Sequence, residues 1–177
     1  HKIFNGIFRI DQSDMPESLF GLIRKTSSTH PNSIVSAYKD NVAFIEGPDI
    51  TQFAPKAPHE ASYYCETVHK SVISLKAETH NFPTTVEPFN GAATGSGGEI
   101  RDRLAGGIGS IPLVGTAVYM TSYPRHKSII PAYETATKVR NWLYQTPLDI
   151  LIKASNGASD FGNKFGQPLI VGSLLTF

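Results

Sequence analysis

Cys65 is the only cysteine among 177 residues, so no internal disulfide can staple this chain. That scarcity fits a reducing compartment, and a cytoplasmic location is expected. Long apolar runs are also missing. None approaches the roughly 18 residues of a membrane-spanning helix, and no signal-peptide pattern is present, so no membrane association is expected. Charge of one sign is scarce as well: the formal net charge is +1, which gives no basis for a broad nucleic-acid surface. His30, His59, His69 and His126 stand in polar or proline-rich stretches without metal-ligand spacing, which argues against zinc. No internal repeat or low-complexity segment occurs.

With 40% hydrophobic and 18% charged residues, the composition is that of a globular protein. A chain of this length buries roughly 70% of its unfolded surface on folding, enough for a core without staples. Cys65 reads as a packed thiol. The start at His1-Lys2-Ile3-Phe4 and the stop at Leu174-Leu175-Thr176-Phe177 predict a domain excised from a longer polypeptide.

Apolar spacing at Leu19, Leu22 and Ile23 predicts a helix over 16–28, with Pro16 in its first turn. A hairpin is expected from 33–39 and 42–46 around Asp40-Asn41, a pair tolerant of positive φ. Pro48, Pro55 and Pro58 predict a loop over 48–60. Residues 72–78 alternate as a strand that would place Lys76 and Glu78 on one face. Pro83 and Pro88 predict a shaped loop over 80–90, and from Gly91 a glycine-rich turn is expected to run into a helix ending before Gly106-Gly107. A strand over 111–121 follows, then a helix over 132–145 with Ala136, Val139, Trp142 and Leu143 inward. Thr146-Pro147 is the expected N-cap of another helix to about Ser155, with 159–163 after it as a loop. The last strand is expected over 169–175. Strands and helices without strict βαβ alternation predict an α+β fold, a mixed, mostly antiparallel sheet with helices on one face.

Residues 76–102 hold the chemistry. Backbone N–H groups at a helix start, bared by Gly91, Gly95, Gly97 and Gly98, could receive phosphate. The segment is neither a Walker A loop nor a Rossmann fingerprint, since the Gly-Lys-Ser/Thr ending and the third glycine are absent. The competing explanation is a small-residue helix packed closely on a sheet. Glu78 and Asp102 are oxygen donors of the kind Mg²⁺ prefers. Lys76 could neutralise phosphate, and Arg101 could fork onto a phosphate or carboxylate. His80 is the natural proton carrier, because its ordinary pKa lies near neutrality.

The run Lys76-Ala-Glu-Thr-His-Asn-Phe-Pro83, followed by Glu87-Pro88 and by Gly91-Ala-Ala-Thr-Gly-Ser-Gly-Gly-Glu-Ile-Arg-Asp102, closely resembles the phosphoribosylformylglycinamidine synthase family. His1-Lys2-Ile3-Phe4-Asn5 resembles the residues after that family's Ser-Glu-His-Cys segment, and 158–168 resembles its Phe-Gly-x-Pro stretch. The match spans nearly the whole chain and is weakest over 124–146. It implies an N-terminal subdomain of the aminoimidazole ribonucleotide synthetase-like fold, occupying residues 1–177 as a single unit. Its partners would be a sister synthetase subdomain, paired through the sheet, and a glutaminase domain, in the same or a separate chain; a homodimer through the sheet is the other arrangement.

The resemblance further implies a carbon–nitrogen ligase of purine biosynthesis. Such an enzyme converts formylglycinamide ribonucleotide, glutamine and ATP into formylglycinamidine ribonucleotide, ADP, phosphate and glutamate. Residue by residue, it implies ATP contacts at His1, Lys76 and the run Gly91, Ala92, Ala93, Thr94, Gly95, Ser96, Gly97, Gly98, Glu99, Ile100, Arg101 and Asp102. It implies Mg²⁺ at Glu78 and Asp102, substrate at Thr79, His80, Asn81 and Arg101, and His80 as proton acceptor. Two departures stand out. Phe82 replaces the family's second histidine, implying a packing or supporting role there. The catalytic histidine of Ser-Glu-His-Cys would precede His1, and no glutaminase cysteine motif is present, so the chain alone is expected to be inactive. The alternative is a non-catalytic nucleotide-binding or dimerisation half-domain of the same fold. Related thiamine monophosphate kinases and carbamoyl-phosphate-using maturation proteins arrange their acidic motifs differently.

Overall fold

The computed structural model describes residues 2–57, 59–105, 109–124 and 145–176. His1, His126, Gly106-Gly107 and most of the helix expected over 132–145, Trp142 included, lie outside the described residues. The chain forms two compact units, His1–Leu75 and Lys76–Phe177.

The first unit opens with a two-residue pairing of β1 (Arg9–Ile10) and β2 (Ser13–Asp14). Helix α1 (Leu19–Thr29) follows. Its N-cap is Ser18, whose Oγ accepts from the Gly21 N–H at 3.0 Å, so Pro16 lies before the cap rather than in the first turn. Strands β3 (Ile34–Ser36), β4 (Ala43–Pro55) and β5 (Tyr64–Leu75) form an antiparallel sheet in that order. The hairpin between β3 and β4 is as expected, but the left-handed residue in its turn is Tyr38, φ 60°, rather than Asp40 or Asn41.

The loop expected over 48–60 is a correction. β4 continues through Pro48 to Pro55, pairing with β5 from Ala43↔Leu75 to Pro55↔Tyr64. Between Glu46↔Val72 and Asp49↔Lys70 the register shifts, so Gly47 and Pro48 oppose Ser71 alone. This bulge tolerates Pro48, which has no N–H to give the ladder. Ser71 Oγ instead donates to the Pro48 carbonyl at 2.5 Å, and Gly47 leaves room for that hydroxyl.

The second unit holds α2 (Phe82–Val86), α3 (Pro88–Leu104), β6 (Gly115–Thr121), α4 (Pro147–Lys164) and β7 (Leu169–Thr176). β6 and β7 pair in parallel, as strands joined through an intervening helix can. α4 begins as its sequence predicts, with Thr146 Oγ1 accepting from the Asp149 N–H at 3.2 Å. It runs on through the 159–163 stretch expected to be loop, ending in a left-handed Gly166, φ 67°. There the Gln167 N–H donates to the Gly162 carbonyl at 2.9 Å and the Gly166 N–H to Asn163 at 3.2 Å, a Schellman closure. Ala92, Ala154 and Ala158 form the core where α3 meets α4, with Tyr119 and Leu169 against it. Small residues let the helix backbones approach. A methyl on Gly157 would overlap the Phe89 carbonyl oxygen.

The molecule is thus α+β, with antiparallel and parallel pairing in separate sheets. No helix among the described residues is long and apolar enough to cross a membrane.

Candidate functional site

Of the shaped loop and glycine turn expected over 80–98, residues 82–86 and 88–98 are corrected to helix, while His80, Asn81 and Glu87 stay outside it. Pro83 and Pro88 lie in the first turns of α2 and α3, where the missing N–H would have had no helical partner anyway. Gly91, Gly95, Gly97 and Gly98 therefore lie within α3, not at its open start. Spacings of four, three and four put Gly91, Gly95, Gly98 and Asp102 on one face. That face meets the segment from Lys76 to α2. A methyl on Gly91 would stand 2.5 Å from the Thr84 nitrogen, and one on Gly95 2.9 Å from His80 Cβ. At Gly98 the nearest atoms would be those of the Glu78 carboxylate group, 3.5 Å away at Cδ. The glycines serve close packing, as the competing explanation held, although the neighbours are α2, the 76–80 segment and α4 rather than a sheet.

β5 stops at Leu75, so Lys76 and Glu78 lie just past the strand instead of on its face. Lys76 Nζ sits 3.2 Å from Glu78 Oε2 and 2.9 Å from Asp102 Oδ2. Its side chain is only 9% exposed, against 32% and 36% for the two acids. Hydrogen bonding to Asp102, and more weakly to Glu78, holds the Lys76 pKa above its ordinary 10.5 against the opposing effect of burial. The trio carries two negative charges and one positive, leaving a local excess for a further cation. Among the described residues no three His, Cys, Asp or Glu side chains converge as a metal cage. Two carboxylates suit Mg²⁺ nonetheless, because that ion keeps waters and takes substrate phosphate oxygens as its other ligands.

His80 is held by Thr84, a residue the sequence reading missed although it stands one helical turn beyond. Thr84 Oγ1 donates to the His80 carbonyl at 2.9 Å. Its one proton is thereby used, so at 3.3 Å it can only accept from His80 Nδ1. This arrangement favours the neutral tautomer with its proton on Nδ1, in which Nε2 is the base. Beside it lies an open groove of about 450 Å³, lined by Phe82, Val86, Glu87, Asn90 and Thr94 among others. Phe82 is 56% exposed and lines this groove beside His80. Thr79 and Asn81 are exposed on either side of His80.

The remaining predicted residues divide. Ala92 belongs to the core and Ile100 is fully buried, so neither offers a side chain to a ligand. Ala93 and Ser96 are partly buried, and Thr94 Oγ1 donates to the Asn90 carbonyl at 2.8 Å. Glu99 is engaged internally: Oε2 pairs with Arg103 at 2.7 Å and Oε1 accepts from Gln167 Nε2 at 2.6 Å. Gln167 Oε1 in turn accepts from Arg103. Gln167 is 2% exposed, and no pattern in the sequence marked it. Arg101 is exposed, its guanidinium 5.9 Å from the Phe161 ring centre.

An α+β protein with a charged site along one glycine-bearing helix is the class that this geometry defines. No protein-family model matches the chain. Phosphoribosylformylglycinamidine synthase of Dictyostelium discoideum is 40% identical to it over 176 residues, which cover 97% of the chain and 13% of that relative. The chain thus matches a fragment of phosphoribosylformylglycinamidine synthase and spans about an eighth of the length of the curated relative it matches.

Proposed function

We propose that this chain supplies part of the Mg-ATP and ribonucleotide site of a glutamine-dependent ligase of purine biosynthesis. The reaction would convert formylglycinamide ribonucleotide, ATP and glutamine into formylglycinamidine ribonucleotide, ADP, phosphate and glutamate. The observation that carries this reading is the Glu78–Lys76–Asp102 cluster, with His80 two residues past Glu78 and held by Thr84, on a stretch that resembles the family's most specific motif. Glu78 and Asp102 would hold Mg²⁺, whose role is to neutralise polyphosphate charge and orient it. Lys76 would meet phosphate oxygens when it leaves one of its carboxylates. Arg101, five donors on an exposed arm, suits the ribonucleotide's phosphate or carboxylate-like oxygens. His80 Nε2 would take a proton while Thr84 keeps Nδ1–H in place.

The fold would be the N-terminal subdomain of the aminoimidazole ribonucleotide synthetase-like architecture. Support comes from β4 and β5, where Phe53, Tyr64 and Val68 share one face by register and are 67%, 61% and 65% exposed. Such an uncovered strip, apolar except for Thr51 and Glu66, suits a second sheet, from a sister subdomain or a second copy. A glutaminase domain would deliver ammonia, and the location would be cytoplasmic.

Calorimetric titration of Mg-ATP into the chain, alongside Glu78→Ala and Asp102→Ala, tests the site. Binding that weakens roughly tenfold or more in both variants supports it. Binding indifferent to both variants overturns the assignment of the metal-nucleotide site to these residues.

A further inference from the structure

Gly97 and Phe161 have no role in the reading so far beyond membership of a glycine-rich run and of a helix. They meet at Arg101. The guanidinium lies 5.9 Å from the Phe161 ring centre, within reach of a cation–π contact. Phe161 is itself held by Phe165, with ring centres 5.2 Å apart and planes at 16°. On α3, Gly97 stands one turn before Arg101. A methyl there would lie 2.6 Å from Arg101 Nη1 and 2.8 Å from Phe161 Cζ. The bare Cα is therefore what lets the arginine fold back along its own helix onto the ring.

We propose that Gly97 and Phe161 are positioning residues that seat the Arg101 guanidinium for an anionic group of the ribonucleotide. The proposal rests on the ligand reading above. An exposed arginine has many rotamers, and fixing it before the ligand arrives lowers the ordering cost of binding. The ring contributes a preferred location without consuming the guanidinium's N–H donors, so all five remain for oxygen acceptors. Two helices are needed to build this seat, since α3 carries the arginine and α4 the ring. Gly97→Ala would press on both the guanidinium and the Phe161 ring, so it breaks the seat from both sides, and Phe161→Leu is the cleaner test of the ring alone.

The test uses the whole chain, with NMR of the arginine side chains and titration with formylglycinamide ribonucleotide. Ring-current shifts on the Arg101 δ and ε protons are expected in the wild type. They should persist in Phe161→Tyr and vanish in Phe161→Leu and Gly97→Ala. Ribonucleotide binding should stay unchanged in Phe161→Tyr and weaken roughly two- to fivefold in Phe161→Leu. On an Arg101→Ala background, Phe161→Leu should cost nothing further. Arg101 signals that ignore the loss of the ring overturn the seat. So does wild-type binding that Arg101→Ala weakens and Phe161→Leu leaves alone, and the ligand reading then survives. A folded wild-type chain that does not bind the ribonucleotide, or an Arg101→Ala variant that binds equally well, overturns the ligand reading and this proposal together.

Discussion

Lys76 Nζ lies 2.9 Å from Asp102 Oδ2, joining the chain just past β5 to the last turn of α3. The ammonium is nearly enclosed and its pKa is raised, chiefly by that hydrogen bond. A group whose folded pKa exceeds its unfolded value adds stability that is complete below the unfolded value and disappears as pH climbs through the folded one. The pair should therefore stabilise the protein fully at neutral pH and lose that contribution above 10.5. Urea unfolding of wild type and Lys76→Met should differ most near pH 7 and converge above that range. A difference that grows with alkalinity would contradict the assignment.

Gly95→Ala should disturb the histidine more than the helix. The new methyl meets His80 Cβ, which cannot swing aside as a side-chain tip could, so the 76–80 segment must shift. Overpacking of this kind costs about 1–3 kcal/mol, partly offset by alanine's better helix propensity, worth roughly 0.5–1 kcal/mol. Denaturant titration would give the net loss, and the His80 ring resonances should move. Unchanged resonances would place His80 away from α3.

Gly157→Ala is the harsher substitution, because its methyl would overlap the Phe89 main chain. Backbone cannot yield locally, so α3 and α4 must separate. A loss above about 3 kcal/mol is expected, beyond the usual range for one residue. Gly166→Ala makes a useful contrast. Nothing lies within 4 Å of a methyl there and only the left-handed backbone, φ 67°, opposes it, at a cost of about 1–2 kcal/mol. Thermal unfolding of both variants should rank them in that order.

Removing the Gln167 amide should unsettle the end of α3. Gln167→Leu leaves Glu99 and Arg103 paired with each other but strips one partner from each inside the protein. Lost hydrogen bonds to buried charged groups cost roughly 1.5–3 kcal/mol each. A double-mutant cycle with Arg103→Met should reveal coupling above about 0.5 kcal/mol, and additive losses would show that these two side chains act separately.

How much of this was legible beforehand depended on whether the signal was local. The N-cap at Thr146 and the last strand carry their own turn or periodicity chemistry and came out near the expected bounds, whereas the hairpin after residue 33 formed with its left-handed residue at Tyr38 and its second strand running on to Pro55. Pro48, Pro83 and Pro88 misled because their tolerance depends on place: a bulge opposite Ser71 in one case and helical first turns in the others. The glycines of α3 argued for a turn by propensity, while the surfaces that need them, His80, Thr84 and Phe161, come from elsewhere in the chain. Lys76, Glu78, His80, Arg101 and Asp102 stood out through their chemistry. Thr84, Gln167 and Phe161 did not, since a threonine, a glutamine and a phenylalanine look ordinary until their neighbours are known.

Four glycines in α3 have one more consequence. Relative to alanine they weaken an isolated helix by roughly 2–4 kcal/mol in total, so this helix borrows its order from α2, α4 and the 76–80 segment. The arrangement of Arg101 and Asp102 then exists only while those contacts hold. Amide hydrogen exchange across α3 should follow opening of the whole second unit, with no separate fraying of the middle turns. In this protein, competence to bind and the folded state would be a single cooperative property.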